Sequence, residues 1–312
     1  KGIDNYFVVP SYRPKEILLF LRAYLSALFF RKRNSLIVIQ RVQSNFIYAR
    51  LLKLLVLVRK KNTIYDLDDA DYLEINPSTL YFFAKNCERV FAGSAQIERH
   101  LSAHNSSIVF STSPTVDLGI VKKNRNSVFT IGWIGGFGGD HKSSLIELVF
   151  PAILQMNFPV KFTIVGVRKQ EDIDFINAYF SSNQIIEINT PLEIDWKDEN
   201  EIQSRIVTFD IGIATLTNTE LQLSKSGIKA KQYMNNGIPV LSTNLPENNT
   251  VVVDGYNGYF CSSRFDFEKR MRQFAEFSDH EYATFSVNAR QSITNFNHVN
   301  YFRNFEYLHS KN

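Results

Sequence analysis

Short, densely apolar runs alternate along this chain with longer segments whose apolar residues recur every three or four positions. The first pattern predicts buried strands and the second helices, and their alternation predicts parallel sheet built from βαβ units. In the first third, strands are expected over 6–9 (closed by Pro10), 36–39, 62–65, 89–92 and 108–110. Helices are expected over 16–33, 45–61 and 78–86, with another opening after Gly93-Ser94. A second series follows, with strands over 128–134, 160–165, 185–188, 210–214 and 239–242. Its helices open at Ser143-Ser144 and cover 172–180, 199–207 and 225–235. From about Tyr282 the pattern predicts a long terminal helix broken near 295–300. The polar, turn-rich stretches 111–117 and 122–127 read as the linker between the two series.

With 312 residues, the chain is about twice the ~150-residue prior for one domain, which agrees with two series of elements. Apolar residues make up 44% and charged residues 21%, which excludes a disordered, collagen-like or disulfide-scaffold protein. Cys87 and Cys261 have no paired spacing, which argues against a disulfide framework and a cysteine-based zinc site and fits a reducing compartment. No stretch reads as a secretory signal. The longest apolar run, 17–30, is interrupted by Arg22 and Ser26 and is too short to cross ~30 Å of hydrocarbon. A cytoplasmic protein that at most lies on a membrane is the expectation.

The net charge of +4 hides an asymmetry. Residues 1–65 hold 13 Lys/Arg and two acids, a net +11, and the rest holds 22 bases and 29 acids, a net −7. Such a split points to an anionic partner for the first segment. A lipid surface fits better than nucleic acid, because no recognition motif accompanies the charge.

Three stretches carry chemistry. Gly135-Gly136-Phe-Gly138-Gly-Asp-His141-Lys142 lies between a buried strand and a helix, where glycines expose backbone amides and a helix start favours an anion. Its spacing fits neither the dinucleotide fingerprint nor the Walker A loop. Lys225 and Lys229 are placed one turn apart at the start of the predicted helix over 225–235. The helix dipole disfavours cations there, so two bases make sense facing a di-anionic ligand. Asp66-Leu-Asp68-Asp69 follows a strand of the first series, where carboxylates bind a divalent ion, position a hydroxyl or sit solvated. His100 and His104 have a metal-ligand spacing, but no third ligand lies near them in sequence, so a surface pair is expected.

The run from Asp210-Ile-Gly-Ile-Ala through Lys225-x-Gly-x-Lys229-x-x-Gln232-Tyr-Met-x-x-Gly-Ile-Pro-Val to Asn248 and Val-Val-x-Asp254-Gly-x-Asn-Gly258-Tyr resembles the C-terminal domain of family 4 (group 1) glycosyltransferases. The match covers 128–262 well and is weaker in the first domain, at Thr63–Asp66, Cys87–Ser94 and Ser113–Asp117. The resemblance implies the α/β GT-B fold, two Rossmann-like domains facing across a cleft. An N-terminal acceptor-side domain (1–118, shortened at its start) would precede a nucleotide-sugar domain (119–285). A terminal helix (286–312) would cross back to the first.

It further implies retaining transfer from a nucleotide sugar to a glycan or lipid-linked glycan of a bacterial surface polysaccharide, with no metal and no cofactor required. Lys225, Lys229 and Asp66 then form the catalytic set. Gly135, Gly136, Gly138, Lys142, Gln232 and Asn248 bind the donor, and Asp68 and Asp69 lie on the acceptor side. Ser224 and Gln232 stand where many relatives carry two Glu eight residues apart, and Trp133 stands where they commonly carry Arg. These departures motivate the alternative of a non-catalytic glycosyltransferase-like subunit that binds a glycan or a partner. An epimerase on the same architecture would need no acceptor.

Overall fold

The computed structural model describes residues 13–29, 36–40, 46–74, 76–191 and 193–306. The strand expected over 6–9 lies outside these residues, as do the end of the first expected helix and the start of the second. The chain divides into two compact units, one of residues up to 112 together with those from 303, the other of residues 113–302.

The first unit has β1 (Ile37–Gln40), β2 (Thr63–Leu67), β3 (Arg89–Ala92) and β4 (Ile108–Phe110) in one parallel sheet of that order. The helices α1 (Pro14–Phe29), α2 (Phe46–Arg59), α3 (Ser78–Asn86) and α4 (Ala95–Leu101) alternate with the strands. β2 is buried along its whole length, as a central parallel strand covered on both faces must be. Ser94 caps α4 by accepting from Ile97 N.

The second unit has β5 (Phe129–Ile134), β6 (Val160–Val165), β7 (Ile186–Asn189), β8 (Ile211–Ala214), β9 (Val240–Ser242) and β10 (Gly258–Phe260). They form a parallel sheet of order β10-β9-β8-β5-β6-β7. Its helices are α5 (Gly139–Ser144), α6 (Phe150–Leu154), α7 (Gln170–Phe180), α8 (Glu199–Ile206), α9 (Glu220–Leu223), α10 (Ile228–Asn235), α11 (Arg264–Glu276) and α12 (Asp279–Ser292), and the division between the units falls within α13 (His298–Glu306). A π-turn over Leu145–Val149 makes α5 and α6 one continuous helical run.

Side-chain alternation sorts the core. Ile131, Trp133, Ile211 and Ile213 pack to one face with Phe150, Ile176, Phe267 and Phe274. Ile134 and Ala214 pack to the other with Phe209 and Tyr233. Gly132 and Gly212 belong to this second face: a Cβ on Gly132 would lie 2.0 Å from the Phe209 ring, and one on Gly212 would lie 2.4 Å from the Tyr233 ring.

Two expectations need correction. The helix placed at Ser143-Ser144 begins at Gly139. The helix placed over 225–235 begins at Ile228, because Gly227 takes a left-handed φ of 65° that ends the loop before it. The linker residues 122 and 125 are held in place. Lys122 is buried and pairs with Asp210 at 3.2 Å, Asp210 also accepts from Thr130 N at 2.8 Å, and Arg125 donates to the carbonyl of Ala275 at 2.8 Å.

Candidate functional site

Strand order reverses between β5 and β8: β6 and β7 lie on one side of β5, while β9 and β10 extend from β8. Ligands of open α/β sheets bind beyond the carboxyl ends of the strands at such a switch point. Here β5 and β8 pair only through Ile131–Gly132 and Ile211–Gly212. Past that point the Tyr233 hydroxyl stands between them, accepting from Ile134 N at 3.0 Å and donating to the carbonyl of Ile213 at 3.1 Å. The loop 135–138 leaves the end of β5 and the segment 215–219 leaves the end of β8.

The two departures are tied together. Ser144 and Thr215 hydroxyls lie 3.0 Å apart, and Gln222 Nε2 donates to Asp140 Oδ2 at 2.8 Å. Gly135 (φ 150°) turns the chain where a Cβ would lie 2.8 Å from Lys229 Cε. Gly166 (φ 103°) lets the carbonyl of Gly135 approach, since a Cβ there would lie 2.3 Å from that oxygen. Around Gly136 and Gly138 a Cβ would meet nothing within 4 Å, so the backbone of the loop stays open on that side.

Against this loop sits a cationic cluster. Lys229, on the first turn of α10, places Nζ 3.3 Å from His141 Nε2 and 5.7 Å from the centre of the Trp133 ring. Burial, and then the charge of Lys225, draw its pKa from 10.5 down to about 8. Among the described residues no carboxylate pairs with it. His141 is pushed down to about 4 by burial and by Lys229 and Lys225, so at neutral pH it is uncharged. It accepts from Lys229 at Nε2, which leaves the proton on Nδ1, an enclosed atom with no hydrogen-bond partner among the described residues. The indole N–H of Trp133, also enclosed, has none either.

Lys225 precedes the helix and is partly exposed. Its loop is braced from below. The ammonium of Lys231, fully buried, donates to the carbonyl of Ser226 at 2.8 Å. Gly227 packs on Glu247 and Asn248, whose nearest oxygens are 3.2 Å from its Cβ position. Asn248 is buried and donates to the carbonyl of Thr243 at 3.1 Å, clamping the loop after β9. Gln232 lies on α10, three residues beyond Lys229, and is partly exposed.

The structure thus gathers Lys225, Lys229 and Gly135, with Gly136 and Gly138 in the same loop. Lys142 is not gathered with them: it pairs with Asp172 of α7 at 2.6 Å and lies over the rings of Phe137 and Phe175. Asp140, His141, Gln222 and Lys231 were not singled out as a set by the sequence, because they converge from separate segments. Asp140 and His141 are legible only as neighbours of a glycine loop.

In the first unit, Asp66 is the penultimate residue of β2, is buried, and accepts from Gln40 Nε2 at 3.1 Å. Asp68 and Asp69 follow the end of β2, partly exposed, with Gly93 packed on Asp68 so closely that a Cβ would lie 2.7 Å from its Cα. No group of three or more metal-ligating side chains occurs among the described residues. His100 and His104 are not a bare surface pair. His100 stacks on Tyr72 with ring centres 3.8 Å apart, its Nε2 lies 3.0 Å from the Tyr81 hydroxyl, and His104 stacks on Tyr81 at 4.2 Å.

No family model matches the chain, and no curated protein matches it by sequence. Solved structures do. HepE from Anabaena, in complex with UDP-glucose, superposes with a TM-score of 0.70 at 13% identity, over 96% of this chain and 84% of that one. Sucrose-phosphate synthase from Thermosynechococcus elongatus gives 0.69 at 12% identity, over 95% and 78%. The lipopolysaccharide outer core galactosyltransferase WaaB gives 0.60 at 14% identity, over 96% and 82%. At such identities the likeness is one of fold: the chain is an α/β protein of the GT-B fold, with a Rossmann-like sheet in each unit.

Proposed function

We propose that this chain is a glycosyltransferase of family 4 (group 1) type. It takes a sugar from a nucleoside-diphosphate donor and passes it, with retained anomeric configuration, to a glycan or lipid-linked glycan of a bacterial surface polysaccharide. The observation that carries this reading is the cluster of Lys225, Lys229 and neutral His141 beyond the ends of β5 and β8. Lys229 loses water by burial and faces a second cation, a setting that a diphosphate would relieve. Structural neighbours in complex with UDP-glucose or UDP support the nucleotide class.

In this mechanism the bond from the anomeric carbon to the diphosphate oxygen breaks, and charge grows on the departing phosphate. Lys229 and Lys225 stabilise that charge, each charge-assisted hydrogen bond contributing about 1.5–3 kcal/mol. His141 Nδ1–H and the amides of 136–138 supply further donors. Gln232 lies at the ribose, and Asn248 holds the loop on which Gly227 packs. Asp66 acts on the incoming hydroxyl, with Asp68 and Asp69 positioning the acceptor sugar. The positive charge at the diphosphate comes from these side chains, and no cofactor is assigned. The non-catalytic alternative draws on Ser224, whose hydroxyl donates to the carbonyl of Glu220 at 3.0 Å, and on Gln232, neither a carboxylate.

Proton NMR of the sugar released or transferred from UDP-, GDP- and dTDP-sugars separates the readings. The proposed mechanism gives product with the anomeric configuration of the donor. Inversion would contradict the mechanism, and tight donor binding without turnover would favour the binding subunit.

A further inference from the structure

The helices α1 and α2 of the first unit are apolar on more than the face they bury. On α1, Phe20 and Tyr24 are inside, while Leu18, Leu25 and Phe29 form a stripe at helical spacing on the opposite side. Leu18 is 73% exposed and Phe29 69%. On α2, Tyr48, Ala49, Leu55 and Val56 are inside, while Ile47, Leu54 and Leu57 form the outward stripe. The two helices run side by side in the same direction. Phe20 meets Tyr48 near their starts, with ring centres 4.3 Å apart, and Arg59 donates to the carbonyl of Ala27 near their ends at 2.9 Å. Their outer stripes therefore belong to one layer of the unit.

The polar residues interleaved with these stripes are nearly all cations. Arg22 and Arg50 lie on the outward faces, and Lys60 and Lys61 follow α2 directly, all exposed. Across α1, α2 and these two lysines, Glu16 is the one acid. Neither helix is long and apolar enough to cross a bilayer. An apolar stripe bordered by Lys and Arg, on helices too short to span, is the pattern of a helix lying in the headgroup region. A second copy docked through the same face would bring like charges together, and an anionic lipid surface complements them.

We propose that α1 and α2 dock the first unit on an anionic bilayer, with Leu18, Leu25, Phe29, Ile47, Leu54 and Leu57 entering the interface and the cations meeting lipid phosphates. This surface is read independently of the reaction proposed for the second unit. Flotation of the full chain with vesicles tests it, using phosphatidylcholine alone or with about one third phosphatidylglycerol. The expected result is recruitment to the anionic vesicles that weakens as salt is raised and is slight on the neutral ones. The variant Leu18→Ser/Leu25→Ser/Leu57→Ser should lower the partition about tenfold or more. The variant Arg22→Glu/Arg50→Glu/Lys60→Glu should remove the preference for anionic vesicles. All six substitutions are at exposed positions, and circular dichroism checks that both variants fold. No recruitment at low salt, or recruitment that both variants retain, overturns the proposal. So does sedimentation of the wild type as a dimer that the leucine variant breaks, in the absence of lipid binding.

Discussion

Lys229 holds its proton against burial and against the neighbouring charge of Lys225, and its nearest polar contact is the neutral ring of His141. In the unfolded chain its ordinary value is 10.5, and in the folded chain about 8. Between these values the unfolded state binds the extra proton, so stability rises with pH across that window. Below pH 8 the full cost is present. Lys229→Met should therefore stabilise the ligand-free protein by on the order of 2 kcal/mol at neutral pH, and the gain should vanish above pH 10.5.

Urea titrations at several pH values check this, and a variant no more stable than wild type at pH 7 would contradict it. The same variant should lose most of its affinity for nucleoside diphosphates, a separation of stability from function. At this scale Lys225 and Lys229 were legible from spacing and residue type. Their relation to the helix was not, because it turns on one left-handed glycine, Gly227. His141 was legible beside the glycine loop and Trp133 as a departure from the family pattern, but their link to Lys229 was not, because it spans some ninety residues of chain.

At the scale of elements, Tyr233 is the join of the site. Its hydroxyl serves the N–H of Ile134 and the carbonyl of Ile213 where β5 and β8 part, in a fully buried position. Tyr233→Phe leaves both groups dry and unpaired, at a cost of about 1–3 kcal/mol. Denaturant unfolding measures it, and a loss below ~0.5 kcal/mol would mean that water or a relaxed sheet takes over the bridge. The strands of both sheets were readable as apolar runs with turn residues between them, most within a residue of their observed ends. β10 was missed because it opens on Gly258 behind the turn residues Asp254-Gly-Tyr-Asn257, which leaves only Tyr259 and Phe260 as an apolar signal within the strand. α11 was missed although Ser263 and Asp266 form a capping box ahead of Phe267, Met271 and Phe274. α12 begins at Asp279 behind a second box, Ser278 with Glu281, three residues before the first apolar position suggested it.

For the whole molecule, bulk charge and site charge run in opposite directions. The segment after residue 65 is net −7, yet it contains the cluster in which Lys225, Lys229 and His141 meet without a paired carboxylate on Lys229. The excess of +11 is counted over residues 1–65, the segment that contains α1 and α2 with their exposed apolar stripes. Composition reports the second feature and is blind to the first, because a binding site needs a few groups placed by the sheet's change of direction between β5 and β8. Isothermal titration of UDP, GDP and dTDP into the wild type and into Lys225→Ala/Lys229→Ala tests the central claim most directly. The account predicts that at least one of the three binds the wild type with roughly micromolar affinity and that the double variant loses about a hundredfold. Failure of all three to bind the wild type, or equal binding by both proteins, would contradict it.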